Sequence, residues 1–426
     1  MHSFYLFLFF LFGFIKGFAQ VIIIEKSYQK EIEKLAKSKP VLAAFEEIDR
    51  WETTMVQELV MLTEIPAPPF MEYKRAVKFR DMLMEAGADT TWIDEVGNVM
   101  ALRKGTHGHR TVALDAHLDT VFPEGTEVTV KTKGDTLLAP GIGDDTRGLI
   151  VVLTVLRALE ASNIRTPADL LFVGTVGEEG LGDLRGVKHI FEKNDPKIDA
   201  WISIDGGGIG PVNNTGLGSL RYKVTFKGPG GHSWGDFGLG NPHHVLGKAI
   251  DLFVESSTPL TSEGPATSFN VGRIGGGTSV NAIPFESWME VDLRSVSPGR
   301  LSQIDSIFKY SMQKALDTYN ERLAHRPALE LQLEKIGYRP SGSIAPETAL
   351  VQRGMAATRF FGIAPRLSTG STNSNLPIHL GIPAITLGRG GSGGGAHSLG
   401  EWWLNNQGAD AIKLALVVVL AEGFSH

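Results

Sequence analysis

The chain contains no cysteine in 426 residues, which excludes disulfides, thiolate metal ligands and a thiol nucleophile together. It also lacks a surplus of positive charge. The net charge is -6, so electrostatics give no reason to expect nucleic acid or an anionic membrane as partner. Small polar or peptidic substrates fit better. Long apolar runs are scarce as well. The exception, residues 5–15, is too short to cross a bilayer comfortably and is followed by Gly17-Phe18-Ala19, small residues of the kind a signal peptidase reads. Residues 1–19 are therefore read as a signal peptide and the protein as exported, periplasmic or secreted, with no stable membrane span after cleavage. Lys16 follows the run and no Lys or Arg precedes it, which keeps an N-terminal anchor as the alternative. No repeat period emerges. The glycine run at residues 388–395 lacks the Lys-Ser/Thr ending of a phosphate-binding loop and is read as an ordinary loop.

What is present is ordinary for a soluble globular enzyme, with 42% hydrophobic and 21% charged residues. The length is comfortable for two domains. Apolar residues recur at helical spacing over residues 41–62, and Pro66, Pro68 and Pro69 stop that helix. A second helix is expected over about 71–86, ending at Gly87. Short apolar runs then alternate with helical stretches: strands at 99–102, 111–116, 170–176 and 200–204, and a helix at 149–159. That alternation predicts an α/β layered core with a mostly parallel sheet. From about residue 217 the texture changes. Strands at 221–227, 268–274, 288–294 and 329–336, with helices at 242–255 and 301–323, form a β-α-β-β-α-β unit. Residues 217–337 are thus expected to be inserted into a discontinuous first domain of residues 20–216 and 338–426. A strand at 384–387 and a helix at 409–422 belong to that first domain.

The chemistry-bearing residues His117, Asp119, Asp144, Asp145, Glu178, Glu179, Asp205 and His397 occur in that order. All but the last close or follow a short apolar run, and ligand crevices of open α/β sheets lie beyond the carboxyl ends of strands. Any single carboxylate there is ordinarily a turn former or helix cap. Several, including two adjacent pairs, are not explained that way, because clustered negative charge is costly to bury without compensation. Carboxylates and imidazoles suit divalent cations, and one ion needs only three or four of them. The larger supply fits two cations bridged by a carboxylate, an arrangement that activates water against a carbonyl or phosphoryl group.

The motifs Ala116-His117-Leu118-Asp119, Pro140-Gly141-Ile142-Gly143-Asp144-Asp145, Gly177-Glu178-Glu179-Gly180, Ile204-Asp205-Gly206, Gly230-Gly231-His232-Ser233 and Ala396-His397-Ser398 together resemble the cocatalytic zinc peptidases and deacylases. That family includes peptidase T, acetylornithine deacetylase, aminoacylase and glutamate carboxypeptidase. The resemblance covers nearly all of the chain beyond the leader. It implies a three-layer α/β catalytic domain and an inserted α+β dimerisation or lid domain. It implies two Zn2+ ions, with Co2+ or Mn2+ as alternatives, bridged by Asp144. His117 and Asp205 would complete one site, and Glu179 and His397 the other. Glu178 would be the general base, and Asp119 would orient the His117 ring. The Asp144-Asp145 peptide would be cis. His232 would stabilise the oxyanion, often in the partner subunit's active site, within a homodimer formed through the inserted domain. Asn281 and Arg294 match positions that bind the substrate backbone or carboxylate, although a surface ion pair accounts equally well for Arg294. His107, His109, His243 and His244 have no such context and are not read as ligands.

Two departures stand out. Thr146-Arg147-Gly148 replaces the Lys-Gly or Lys-Ala that many relatives carry after the aspartate pair, and Asn373 stands where they usually have Asp. Asp205, rather than Glu, resembles the members that remove an amino-terminal residue or cleave di- and tripeptides. The resemblance therefore implies a dinuclear zinc metallopeptidase of the aminopeptidase, dipeptidase or tripeptidase type. The alternatives are an N-acyl-amino-acid amidohydrolase on the same site and, third, an inactive binding protein, which the complete ligand set disfavours.

Overall fold

The computed structural model describes residues 23–425; the signal segment read at residues 1–19 lies outside them. Strands Thr111–His117, Asp169–Thr175, Ala200–Ile204 and Ala384–Leu387 lie side by side and parallel at the centre of a nine-stranded sheet. Nearly every residue of these strands is buried, as expected where both faces of a parallel sheet are covered. The edges run the other way. Val99–Arg103 pairs antiparallel with Asp169–Thr175, and Pro211–Gly216 antiparallel with Ala384–Leu387. Four of the eight pairings are antiparallel, so the sheet is mixed rather than mostly parallel. Its centre was readable because continuous apolar runs mark it. The polar strands toward one edge, Pro211–Gly216 and Arg366–Gly370, carry no such signal.

Alternation along one strand separates the two helical layers. Ile385 packs toward Gly354 of helix Ala349–Phe360, where an added Cβ would stand 3.0 Å from its Cδ1. Its neighbour Thr386 hydrogen-bonds Ser374 on the opposite face, where helix Asn375–His379 begins. On that second face Phe191 of helix Arg185–Lys193 packs against buried Trp201, with ring centroids 5.4 Å apart. Helix Gly408–Gly423 packs between Gly148–Ala161 and Ala349–Phe360, touching both.

The helix expected over residues 41–62 is two helices, Lys39–Arg50 and Glu52–Thr63, parted at Trp51, whose amide bonds back to both Glu47 and Ile48 carbonyls as the turn tightens. The glycine run read as a loop includes a strand, Ser392–Gly394, paired with Trp402–Leu404. A Cβ on Gly394 would meet the Trp402 indole at 2.9 Å, so the strand forms here because side chains are absent.

Strands Gly218–Lys227, Thr267–Gly276, Glu286–Ser295 and Glu330–Arg339 form a separate antiparallel sheet, covered by helices Pro242–Ser262 and Pro298–Leu323. The β-α-β-β-α-β order is the one expected, though the first helix runs past Pro259 to its last turn. This unit has its own core around Phe226, Phe253, Met289 and Phe308. The Phe308 ring lies 5.2 Å from Tyr222 and 5.1 Å from Phe253. Phe308→Ala is expected to lower unfolding stability by about 3–5 kcal/mol, measured by urea denaturation followed by circular dichroism.

Candidate metal centre

Because the central strands run the same way, their carboxyl ends open on one side, and each delivers residues to one place. His117 is the last residue of its strand, not the one after it. Glu178 and Glu179 follow Thr175, Asp205 follows Ile204, and Asp144 sits in the turn before helix Gly148–Ala161. The Asp144-Asp145 peptide is cis. His397 comes from a loop after the glycine run with φ 64°.

The ligand-type atoms converge. His117 Nε2 lies 3.3 Å from Asp144 Oδ1, and His397 Nε2 lies 3.2 Å from Asp144 Oδ2 and 2.9 Å from Glu179 Oε1. Two sets, His117-Asp144-Asp205 and Asp144-Glu179-His397, each bring their ligand atoms within 4.8 Å of one another and share Asp144. A third set, His117-Glu178-Glu179, overlaps them. Mixed imidazole and carboxylate donors at that spacing fit divalent cations.

Electrostatics follow from burial and crowding. Burial pushes Asp205 up to about 6, with the Asp144 charge adding to it. Burial also lifts the Glu178 carboxyl to about 8, against the pull of Arg339. Hydrogen bonds to Asp144 and Glu179 raise His397 to about 10. Burial alone would lower His117, yet its bond to Asp144 and the charges of Asp145, Asp119 and Asp205 hold it well above the ordinary range.

Asp119 sits differently from the expectation. The main-chain carbonyl of Asp119 accepts from His117 Nδ1 at 2.9 Å, while its nearer carboxylate oxygen stands 3.8 Å away. That leaves Nε2 free to face Asp144, the tautomer a ligand needs. The Asp119 carboxylate instead accepts the amides of Glu178 and Glu179 at 3.0 and 2.8 Å, fixing the loop that carries both acids.

Beside the acids lies a cavity of about 520 Å³ lined by Asp144, Glu178, Glu179, Asp205 and His397, with Arg221, Arg294 and Arg339 among its other lining residues. Arg294 therefore reaches the cavity while also donating to Asp292 at 2.6 Å. His232 and Asn281 do not line it. They are exposed neighbours, joined by the Ser233 amide donating to the Asn281 carbonyl at 2.9 Å. Both adjoin the Glu286 end of strand Glu286–Ser295, whereas Arg294 is at the other end. Eight residues of extended chain put them roughly 27 Å from the cavity wall.

Three further residues carry the site and went unread. Arg339 donates to the Glu178 carboxylate at 2.7 Å and also to its main-chain carbonyl. Glu401 accepts the amides of Gly141, Gly143 and Asp144 at 2.7, 2.9 and 2.8 Å, shaping the turn that presents Asp144. Arg389 stands 3.3 Å from Asp144. It is the only charged residue in the run 388–395, a signal that was available. Arg147, in contrast, points away from the bridge position, donating to the Gly408 carbonyl at 2.9 Å under the Trp403 ring. Asn373 lies beneath the site, not in the cavity, and donates to Asp115 at 2.7 Å, so a buried carboxylate is supplied by the neighbouring strand.

Residues 113–420 match Peptidase family M20/M25/M40. The chain belongs to this family. It is therefore a hydrolase acting on peptide or amide bonds, in a metal-dependent family, and the clusters above are candidate metal-binding residues. It is 22% identical to peptidase T from Halothermothrix orenii over 355 residues, covering 73% of this chain and 83% of that one. It is 26% identical to succinyl-diaminopimelate desuccinylase from Methylobacillus flagellatus over 266 residues, 58% of this chain and 65% of the relative. Its fold superposes on aminopeptidase PepT from Bacillus cereus with a TM-score of 0.70 at 19% identity, covering 86% of this chain and 97% of that one. Among the described residues no helix is long and apolar enough to cross a membrane.

His117 and His397 both hold protons more tightly than usual, and a cation must displace them. The affinity of each cation is expected to fall as pH drops from 8 to 6, by up to about tenfold per unit for the one histidine proton it displaces. Chelator competition at several pH values measures it.

Proposed function

We propose that this M20-family member is a dinuclear metallopeptidase that hydrolyses short peptides from the free amino end. The observation that carries the reading is Asp144, whose carboxylate is shared by the His117-Asp144-Asp205 and Asp144-Glu179-His397 sets. Asp144 would bridge, His117 and Asp205 would hold one cation, and Glu179 and His397 the other, with Zn2+ as the metal the donor chemistry favours. Cations bound there would polarise the scissile carbonyl and supply a nucleophilic water at neutral pH. Glu178 would act as the general base, taking a proton from the attacking water and returning it to the leaving amine. Its buried carboxyl, raised to about 8, has a proton affinity suited to that exchange near neutral pH. Arg294 and its neighbours Arg221 and Arg339 on the cavity wall would receive the substrate's carboxylate.

Residues 217–337 are read as a dimerisation unit. Far from their own chain's cavity, His232 and Asn281 would serve the partner subunit's site, His232 donating to the oxyanion. The leader at residues 1–19 would export the protein. Asp205 in place of Glu, together with likeness to peptidase T, favours peptides over acyl-amino acids. The likeness to a desuccinylase supports the second reading, an N-acyl amidohydrolase.

Glu178→Ala is expected to keep its bound metal, counted by plasma emission, and to lose roughly 10²–10⁴-fold in kcat; turnover within about tenfold of the parent would remove Glu178 from this role. Free dipeptides should be cleaved and their N-acetylated forms spared, with the opposite preference establishing the amidohydrolase. Mixing His232→Ala with Glu178→Ala protein should restore part of the activity through hybrid dimers. Absence of restoration after demonstrated subunit exchange would place His232 outside the partner's site.

A further inference from the structure

A fixed cation lies against one of the two metal sets that share Asp144 and not the other. Arg389 follows the strand Ala384–Leu387, the fourth of the parallel strands whose ends build the site. Its Nη1 stands 3.3 Å from Asp144 Oδ1, 3.6 Å from Asp145 Oδ1 and 3.7 Å from Asp205 Oδ1. Asp144 divides its two oxygens between the histidines, Oδ1 toward His117 and Oδ2 toward His397. The guanidinium is on the Oδ1 side, and among the described residues its ion pairs include neither Glu179 nor His397. Asp145 explains why a charge is kept there. It is wholly buried, one oxygen accepts the His117 amide at 3.2 Å, and the other has no hydrogen-bond partner.

We propose that Arg389 is a positioning residue that makes the two cation sites unequal. It holds Asp144 and Asp205 in place and weakens the His117-Asp144-Asp205 site relative to the Asp144-Glu179-His397 site. A unit positive charge sharing two carboxylates with a divalent ion opposes that ion. At a protein's effective dielectric, repulsion between charges that share carboxylates exceeds a tenfold change in affinity. The inference rests on the two-cation reading above. It goes beyond that reading by assigning the order of filling to a residue that ligates neither ion.

The test uses the full metal-stripped chain, titrated with Co2+ and followed by visible absorption, with Zn2+ affinities from chelator competition. The parent should bind two ions per chain in two separated steps. Arg389→Met should raise the weaker constant at least tenfold and the tighter one by less than threefold, while Arg389→Lys keeps the separation. In a His397→Ala background, which removes a ligand of the other site, Arg389→Met should raise the remaining constant by a similar factor. Should Arg389→Met fail to fold, Arg389→Gln carries the same expectation with a polar side chain. Two equal constants in the parent, or an unchanged ratio in the folded variants, would overturn the role of Arg389 alone. A parent that binds fewer than two ions would overturn the two-cation reading with it.

Discussion

Like charge gathered at the ends of parallel strands is the constraint on which the rest of the structure depends. Neighbouring strands lie about 4.8 Å apart, so residues at equivalent ends of Thr111–His117, Asp169–Thr175 and Ala200–Ile204 are brought together by the sheet itself. The sequence puts acids or imidazoles at each of these ends. Glu178, Glu179 and Asp205 therefore share one small, largely buried volume with Asp144, which the turn before helix Gly148–Ala161 brings in, an arrangement that costs several kcal/mol unless charge is brought to meet it.

Much of the surrounding structure offsets that cost. Backbone amides serve the acids that do not face the cavity: two reach Asp119 and three reach Glu401. Buried Arg75, bonded to the carbonyls of Thr63, Ile65 and Leu118, adds a positive charge near Asp119. Arg339 and Arg389 meet Glu178 and Asp144 directly. Cations held among the ligands would complete the balance.

The second sheet is tied into this balance. Arg339 ends its last strand and grips Glu178, Arg221 of its first strand donates to the Gly180 carbonyl at 2.8 Å, and the Tyr338 amide donates to Asp183 at 2.7 Å. The loop carrying Glu178 is thus held by both units, and its geometry follows the seating of one on the other. The same unit carries His232 and Asn281 at its opposite end, beside exposed Trp234, Phe237 and Val280.

The sequence by itself determined the parallel centre of the sheet, the β-α-β-β-α-β order of the second unit and the identity of the acids and histidines that cluster. Each of these is written locally, as an apolar run or as a ligand-type residue at its end. Tertiary structure alone decided the antiparallel edges, because polar strands such as Pro211–Gly216 take their conformation from the neighbour they pair with. It also decided that Asp119 meets the His117 ring with its main-chain carbonyl while its carboxylate serves amides, that Arg147 turns away while Arg389 turns in, and that Arg339 reaches Glu178 across 161 positions of chain. A charged side chain's partner is set by distance in space, and no local pattern encodes that distance.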